Sequence, residues 1–542
     1  MSRISLPWTL ASAGTCTLLV LPILAIGYTA LSGGDEVFAH LFATVMPTYI
    51  SNTVLLTAGV MILAAVFGVP SAWLIAKCQF PSDKVLQWLL VLPLAMPSYI
   101  VAYVFTDWLD FAGPVQSALR AWFGWQAREY WFPDIRSLYG ACWILALVLY
   151  PYVYLLTRAA FLQQSSALTH SARLLNCNAW QTFFRVSLPL ARPAIAISLT
   201  LVAMETVGDF GTVSYFSLNT LTTAVYDTWL GYASLSAAAK ISLLMLIVVI
   251  FFISAERYSR RRQRLFQPHI EISRGQKVRL SGWAKWSALL WCWGLVILAF
   301  LLPLMQLAIY AYHYFVQSWT AEFRQYALNS LTVSVVAAIL AVFVALIVNF
   351  CHRLQPSVAS QIWMRGAAMG YAVPGTVLAI GVMIPVLFVD HVLNDVAKWM
   401  EWQRPGLLLS GSLFALVFAM VVRFSAVAIG SVESNLKQIP PSLDMASKTL
   451  GCNSNQMLWH IHWPLIRRGA LIAFLLVFIE SMKELNAALL LRPFNFETLA
   501  TYVFNYASDE QLELAAMPAM LLVLVGLIPL VLINRSLEGG VK

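Results

Sequence analysis

Four carboxylates carry the strongest chemical signal in this chain of 542 residues: Glu205 with Asp209, and Glu480 with Glu484. Residues four apart on a helix share a face, so each pair presents two acids on one side. "LVAMETVGDF" (201–210) aligns with "LVFIESMKEL" (476–485) at an offset of 275, which makes the pairs equivalent. Both follow apolar stretches, and a carboxylate at membrane depth is costly and by default faces a cavity or a partner. Carboxylate oxygens suit hard cations, so an acidic ring along a path is one reading. The other is structural. Lys483 is within helical reach of Glu480, and Asp209 and Glu484 could equally sit at an outer mouth.

Other chemistry is excluded or weak. His460 and His462 are two apart and point to different faces of a helix, which argues against a metal pair. Seven cysteines are scattered singly without CxxC spacing, so neither a zinc site nor a disulfide framework is indicated. No GxxxxGK[ST] is present to cradle phosphates. "LSGG" at 31–34 closes an apolar stretch and carries no function. No cofactor is expected on this chain.

The elements that must position the acids are membrane helices. The chain is 60% hydrophobic and 11% charged, against about 25% charge in soluble domains. Continuous apolar runs recur, each long enough for a helix through a ~30 Å hydrocarbon layer. The lipid bilayer is therefore the medium. The net charge of +9 sits in loops between these runs, a positive-inside pattern and no nucleic-acid footprint. The first apolar run follows one basic residue and is too long for a signal-peptide core, so it reads as a retained first span.

Twelve spans are expected, near 9–31, 50–76, 86–108, 138–162, 192–216, 235–255, 286–311, 328–350, 362–389, 407–431, 468–491 and 513–533. The division is a first half at 1–255 (core about 50–255), a basic linker at 256–285, and a second half at 286–542 (core about 328–533). The linker holds nine Lys or Arg against two Glu, which places it and both termini in the cytoplasm. "SNTVLLT" (51–57) parallels "LNSLTVS" (328–334), and "AMPSYIVAYVF" (95–105) parallels "AVPGTVLAIGV" (372–382). Six spans per half make the repeat parallel, about an axis normal to the membrane.

One cytoplasmic loop is also duplicated. "LNCNAWQTFFRVSLPLAR" (175–192) and "LGCNSNQMLWHIHWPLIR" (450–467) share Leu, Cys, Asn, Gln, Pro-Leu and Arg at the same offset. Each reads as a helix, a break at Asn176 or Gly451, a short amphipathic helix, and a proline thirteen residues on, Pro189 or Pro464. A twofold partner docking on both is the expectation.

These loops resemble the EAA loops of type I ABC-importer permeases, with the pattern E-A-A, three residues, G, nine residues, I-x-L-P. The matching positions are His170-Ser171-Ala172, Asn176, Val186, Leu188 and Pro189, then Met445-Ala446-Ser447, Gly451, Ile461, Trp463 and Pro464. The opening Glu is absent from both copies and the first Gly is Asn176. The resemblance implies an all-α polytopic fold of two parallel six-span pseudo-repeats and a cytoplasmic ABC ATPase dimer, which uses ATP and Mg. It implies docking through Trp180, Phe183 and Phe184 in one loop, and through Met457, Leu458 and Trp459 in the other. The fused halves and "KELNAALLLRPFNFETLATYVFNYASDEQLELAAMPA" resemble ferric-iron permeases, implying a bacterial inner-membrane importer of Fe³⁺ fed by a periplasmic iron-binding protein. Thiamine and polyamine permeases share the plan. An ion-coupled secondary transporter is the alternative of another class, though such carriers typically carry ionisable relays within the spans. Here the few ionisable residues gather at the ends of the fifth and eleventh spans.

Overall fold

A computed structural model describes residues 6–32, 35–126, 129–164, 179–261 and 277–539. The expected docking residues Ser171, Ala172 and Asn176 lie outside them, as does the side chain of Trp180. The principal helices are α1 (Leu6–Ser32), α2 (Met46–Lys77), α3 (Ser98–Leu109), α4 (Leu138–Gln163), α5 (Leu188–Gly208), α6 (Leu235–Arg261), α7 (Ala321–Leu354), α8 (Gly375–Trp399), α9 (Leu413–Lys437), α10 (Trp463–Lys483) and α11 (Leu512–Gly539). A helical run at Gly282–His313 lies between α6 and α7. This is an all-α polytopic membrane protein. In hydrocarbon the backbone must satisfy its own polar groups, and a helix does so within one segment.

Among the described residues, nine helices are long and apolar enough to cross a membrane. A tenth span results if Asp83–Ala95 and Ser98–Phe123, bent by 92°, count as one. All twelve expected stretches fall largely on helix, but three of them give no single helix that is long and apolar enough to cross. The third is broken where Pro93 and Pro97 interrupt the backbone ladder, with a 3₁₀ turn at Leu92–Ala95. The eleventh, α10, carries Arg467, Arg468, Glu480 and Lys483. The twelfth is apolar only over Leu512–Ile528 among the described residues.

The duplication extends to individual hydrogen bonds. Asn52 donates to the Asn219 carbonyl (3.0 Å) and Thr53 Oγ1 accepts from Leu221 N (2.9 Å). In the other half Asn329 donates to the Glu497 carbonyl (3.1 Å) and Ser330 Oγ accepts from Leu499 N (2.6 Å). Pro97 caps α3 after its 3₁₀ turn, and Pro374 caps α8 after a 3₁₀ turn at Met369–Ala372.

Packing groups the chain into two compact units, one of residues 1–45, 222–246 and 316–505, the other of 46–221, 247–315 and 506–542. Each takes its central helices from one half and its first span from the other. In one unit α1 lies on α7 and α8. A Cβ on Gly381 of α8 would sit 2.7 Å from the Pro22 carbonyl oxygen, a small-residue contact of the kind that lets membrane helices approach closely. In the other unit the Gly282–His313 run packs on α3 and α11, and α2 packs along α4. There Cys78–Gln79 (β1) pairs in parallel with Val278–Arg279 (β2), and Lys277 bridges to Asp83 at 2.9 Å. The end of the basic linker is thereby stitched to the loop after α2.

Gly370, in the second 3₁₀ turn, has no room for a side chain. A Cβ would lie 2.0 Å from the Val422 carbonyl oxygen on α9. Gly370→Ala is expected to destabilise the chain by about 1–3 kcal/mol through overpacking. Thermal unfolding in detergent checks this, and an unchanged midpoint would contradict the close approach.

Candidate functional site

The two repeated loops share one local build. A helical turn at Ala179–Thr182 runs into a π-helix at Phe183–Ser187 and then α5, with Pro189 in its first turn. A turn at Ser454–Met457 runs into a π-helix at Leu458–His462 and then α10, with Pro464 in its first turn. The π segments coincide residue for residue at the offset of 275. Each proline lacks the N–H that would bond four residues back, inside the π segment, where the ladder widens. Such bulges are rare and frequent at functional sites.

Burial divides the expected docking residues. Phe183 is buried against Trp73, ring centroids 5.2 Å apart. Its repeat-equivalent Leu458 is buried with Met457 and Phe350, and Trp8, Leu354 and Ile461 pack around them. These three positions serve the chain's own core. Phe184 and its equivalent Trp459 are 57% and 61% exposed, each with a ring edge against one neighbour, Phe183 (centroids 4.9 Å apart) and Trp463 (5.9 Å). Of the five apolar anchors whose side chains the structure describes, Phe184 and Trp459 are the exposed ones. Leu188 and Pro189 are half-buried, while Pro464 and Ala446 are exposed.

The second loop is tied down in detail. Gly451 holds φ of 79°, the left-handed conformation that ends a helix without a Cβ penalty. Asn453 and Gln456 form a capping box, and Trp8 Nε1 donates to Asn455 (3.0 Å). Ser447 is buried, donating to the Asp444 carbonyl at 2.8 Å. Asp444 is the hub: its carboxylate accepts from Arg353 Nε (2.6 Å) and lies 2.8 Å from Nε2 of the fully buried His462. Arg353 also donates to the Ile439 carbonyl (2.9 Å). Thus α7 is joined to the loop through one carboxylate. His460 instead is exposed beside the Gln456 carbonyl, so the two histidines do share no ligand.

Burial would raise the Asp444 carboxyl, but the Arg353 and His462 hydrogen bonds and charges outweigh it and hold it below the usual range. A depressed carboxyl contributes stability above its unfolded value, about 3.9, and loses it as pH falls through the folded value. A spin label at the exposed Met445 is expected to stay immobile from neutral pH down to about 4, then loosen. Asp444→Asn should loosen it at every pH. Mobility independent of both would contradict the hub.

The four carboxylates have separate fates. Asp209 accepts from Ser98 Oγ (2.6 Å), Thr212 N (2.9 Å), Thr212 Oγ1 (3.2 Å) and Val213 N (3.3 Å). It accepts from backbone N–H groups in the first turn of the short helix Gly211–Tyr215, where the span breaks. Glu484 accepts from Ala487 N (3.0 Å) in the first turn of Asn486–Leu491, at the equivalent break, and pairs with Arg423 of α9 at 3.0 Å. Both carboxylates thus hold bonds within the fold. Glu205 and Glu480 are half-buried, and Lys483 feels the Glu480 charge. Among the described residues no three His, Cys, Asp or Glu side chains converge as a metal ligand set.

Sequence reasoning missed Arg423, Arg353 and Asp444. Arg423 could have been found, because a lone arginine inside "ALVFAMVVRFSAVAI" must have a partner. It also shows that ionisable residues are not confined to the ends of the fifth and eleventh spans. Nothing in the local pattern points to the Arg353–Asp444 pairing.

A family model for the binding-protein-dependent transport system inner membrane component matches residues 64–264 and again 337–541. The Fe(3+)-transport system permease protein FbpB 2 of Haemophilus influenzae is 25% identical over 503 residues, 91% of this chain and 91% of that one. The ferric transport system permease protein FbpB of Actinobacillus pleuropneumoniae is 23% identical over 511 residues, 88% of this chain and 69% of that one. The molybdenum transport system permease protein ModB of Escherichia coli is 27% identical over 223 residues, 39% of this chain but 94% of that one.

Proposed function

Because the chain belongs to the family of binding-protein-dependent transport system inner membrane components, matched once in each half, we propose that it is the permease of an ATP-driven importer of ferric iron. Iron is delivered by a periplasmic binding protein, and ATP is hydrolysed with Mg by a separate cytoplasmic ABC ATPase dimer. One ATPase subunit seats on each repeated loop. The observation that carries the reading is the pair of equivalent π-helical loops, each presenting one exposed aromatic, Phe184 or Trp459, on an otherwise anchored segment. Two like docking points fit a dimeric motor. The iron assignment is supported by the names of relatives that align with most of the chain.

Mechanistically, the fixed joints matter more than any ligand set. Gln164 at the end of α4 donates to the Ser187 carbonyl (2.8 Å), and Asp444 ties the second loop to α7. A displacement of either loop by nucleotide-driven ATPase closure is thereby passed to a long helix. Cargo that must be released calls for weak, transient contacts along the path, in which Glu205 and Glu480 take part.

Orientation follows the basic linker: both loops, the linker and both termini face the cytoplasm. Cysteines introduced at Gln181 or Arg262 should resist an impermeant reagent in intact cells and react in inverted vesicles. Labelling from outside would refute the arrangement. Disruption of the gene should lower cellular iron uptake while leaving molybdate and thiamine uptake unchanged. The converse pattern would overturn the substrate assignment.

A further inference from the structure

A cavity of about 230 Å³ opens in one compact unit, between the C-terminal end of α3, the segment before α4 and the start of α11. Helix α4 has 26 residues, and a helix rises about 1.5 Å per residue. The cavity therefore lies at the opposite end of α4 from Gln164 and the first repeated loop, on the outer face in the proposed orientation.

Its lining is acidic and phenolic. Asp107, Asp110 and Glu510 face one cation, Arg136, which donates to Glu510 (2.9 Å) and pairs with Asp110 (3.3 Å). The Arg136 guanidinium also stacks over Tyr215 at 5.2 Å. Arg136 offsets one of the three carboxylate charges, and the lining stays net negative. One Asp107 oxygen accepts from Tyr310 (2.6 Å), and Glu513 adds a further negative charge nearby. Tyr103 is fully buried on the cavity wall, and among the described residues its hydroxyl has no hydrogen-bond partner. A buried polar group without a partner costs about 1–3 kcal/mol, so a bond offered to this hydroxyl is favourable.

We propose that this cavity is an entry site for a hard multivalent cation held together with its water shell. Water takes about 30 Å³ per molecule, so the cavity has room for a cation and roughly six waters. Outer-sphere binding suits the geometry, since three carboxylates line the cavity while no three described His, Cys, Asp or Glu side chains form a direct ligand set. Hard cations favour oxygen partners and often retain water. Carboxylate oxygens accept from bound water, and the Tyr103 oxygen accepts one more such bond. Contact through water is also weak enough to release cargo inward. The inference rests on the proposed import of iron for its biological meaning, but not for its chemistry.

Terbium(III), a hard trivalent cation whose emission is sensitised by nearby phenols, is a direct probe of the full chain in nanodiscs. Wild type should give saturable sensitised emission. Asp107→Asn combined with Glu510→Gln preserves the hydrogen bonds but removes two charges, and should weaken terbium binding at least about tenfold. Tyr103→Phe should weaken it by about threefold without lowering the unfolding midpoint, because it deletes only an unpartnered hydroxyl. Asp395→Asn, exposed in the other unit, should change nothing. Unsaturable emission in wild type, or wild-type affinity in both cavity variants, would overturn the site. If wild type binds terbium here yet cells import no iron through it, the substrate assignment fails and the cavity stands. If cells import iron and the double variant does so at the normal rate, the cavity falls and the assignment stands.

Discussion

Replacing Phe184 and Trp459 together with aspartate should detach the ATPase and abolish transport while the permease stays folded and inserted. Both side chains are largely exposed, and each follows a residue that is buried: Phe183 before Phe184, Leu458 before Trp459. The neighbouring core residues hold each π-helix in place, so the exposed ring is presented rigidly. Interfaces draw most of their energy from a few such aromatic anchors, each contributing about 2 kcal/mol or more, which is roughly thirtyfold in affinity. A charge in the same position adds a desolvation penalty. The single variants should each weaken ATPase copurification by about that factor, and the double variant should eliminate it. Phe183→Asp serves as the contrast. It buries a charge beside Trp73 and Phe161 and should lower the yield of folded permease rather than the affinity of what remains. Undiminished ATPase binding by the double variant would show that docking uses other surfaces.

The largest stability effect is expected at Glu484. Its carboxylate and the Arg423 guanidinium are almost fully buried, with side chains 6% and 14% exposed and 3.0 Å apart. Deleting one member of a buried pair leaves an uncompensated charge and costs about 3–5 kcal/mol, whereas replacing both by apolar groups of similar size is often neutral. Glu484→Ala should therefore lower the unfolding midpoint sharply, and Glu484→Met with Arg423→Met should recover most of the loss. Gly375 sharpens the point: a Cβ there would fall 2.3 Å from Arg423 Nη1 and 2.8 Å from Glu484 Oε1. If the double variant melts as early as Glu484→Ala, the pair has a further role that packing does not explain. Normal iron transport by the stable double variant would place Glu484 outside the cargo path.

The membrane class and the twofold repeat are visible in the sequence because both are carried by local pattern. Continuous apolar runs mark the spans, and polar landmarks such as Asn52 and Asn329, or Pro189 and Pro464, recur in both halves. The repeated loops are visible for the same reason. Partners distant in sequence are not. Glu484 reads as a membrane carboxylate, but its arginine is 61 positions away on another helix. Asp444 meets Arg353 across 91 positions. Helical spacing also cannot say which of two adjacent apolar residues faces the chain's own core, and so Phe183 and Phe184 look alike until α2 supplies Trp73. Hydropathy is blind to direction, so it gives no sign that the third stretch bends by 92°.

The central claim is that this permease carries ferric iron inward on ATP hydrolysed elsewhere. Proteoliposomes holding the chain with its ATPase, and supplied with the periplasmic binding protein loaded with radioactive Fe³⁺, test it directly. Iron should accumulate inside only when ATP is on the ATPase side, and omission of the ATPase or of the binding protein should stop it. Uptake driven by a proton or sodium gradient without ATP, or ATP-driven uptake of another cargo with iron left outside, would contradict the account.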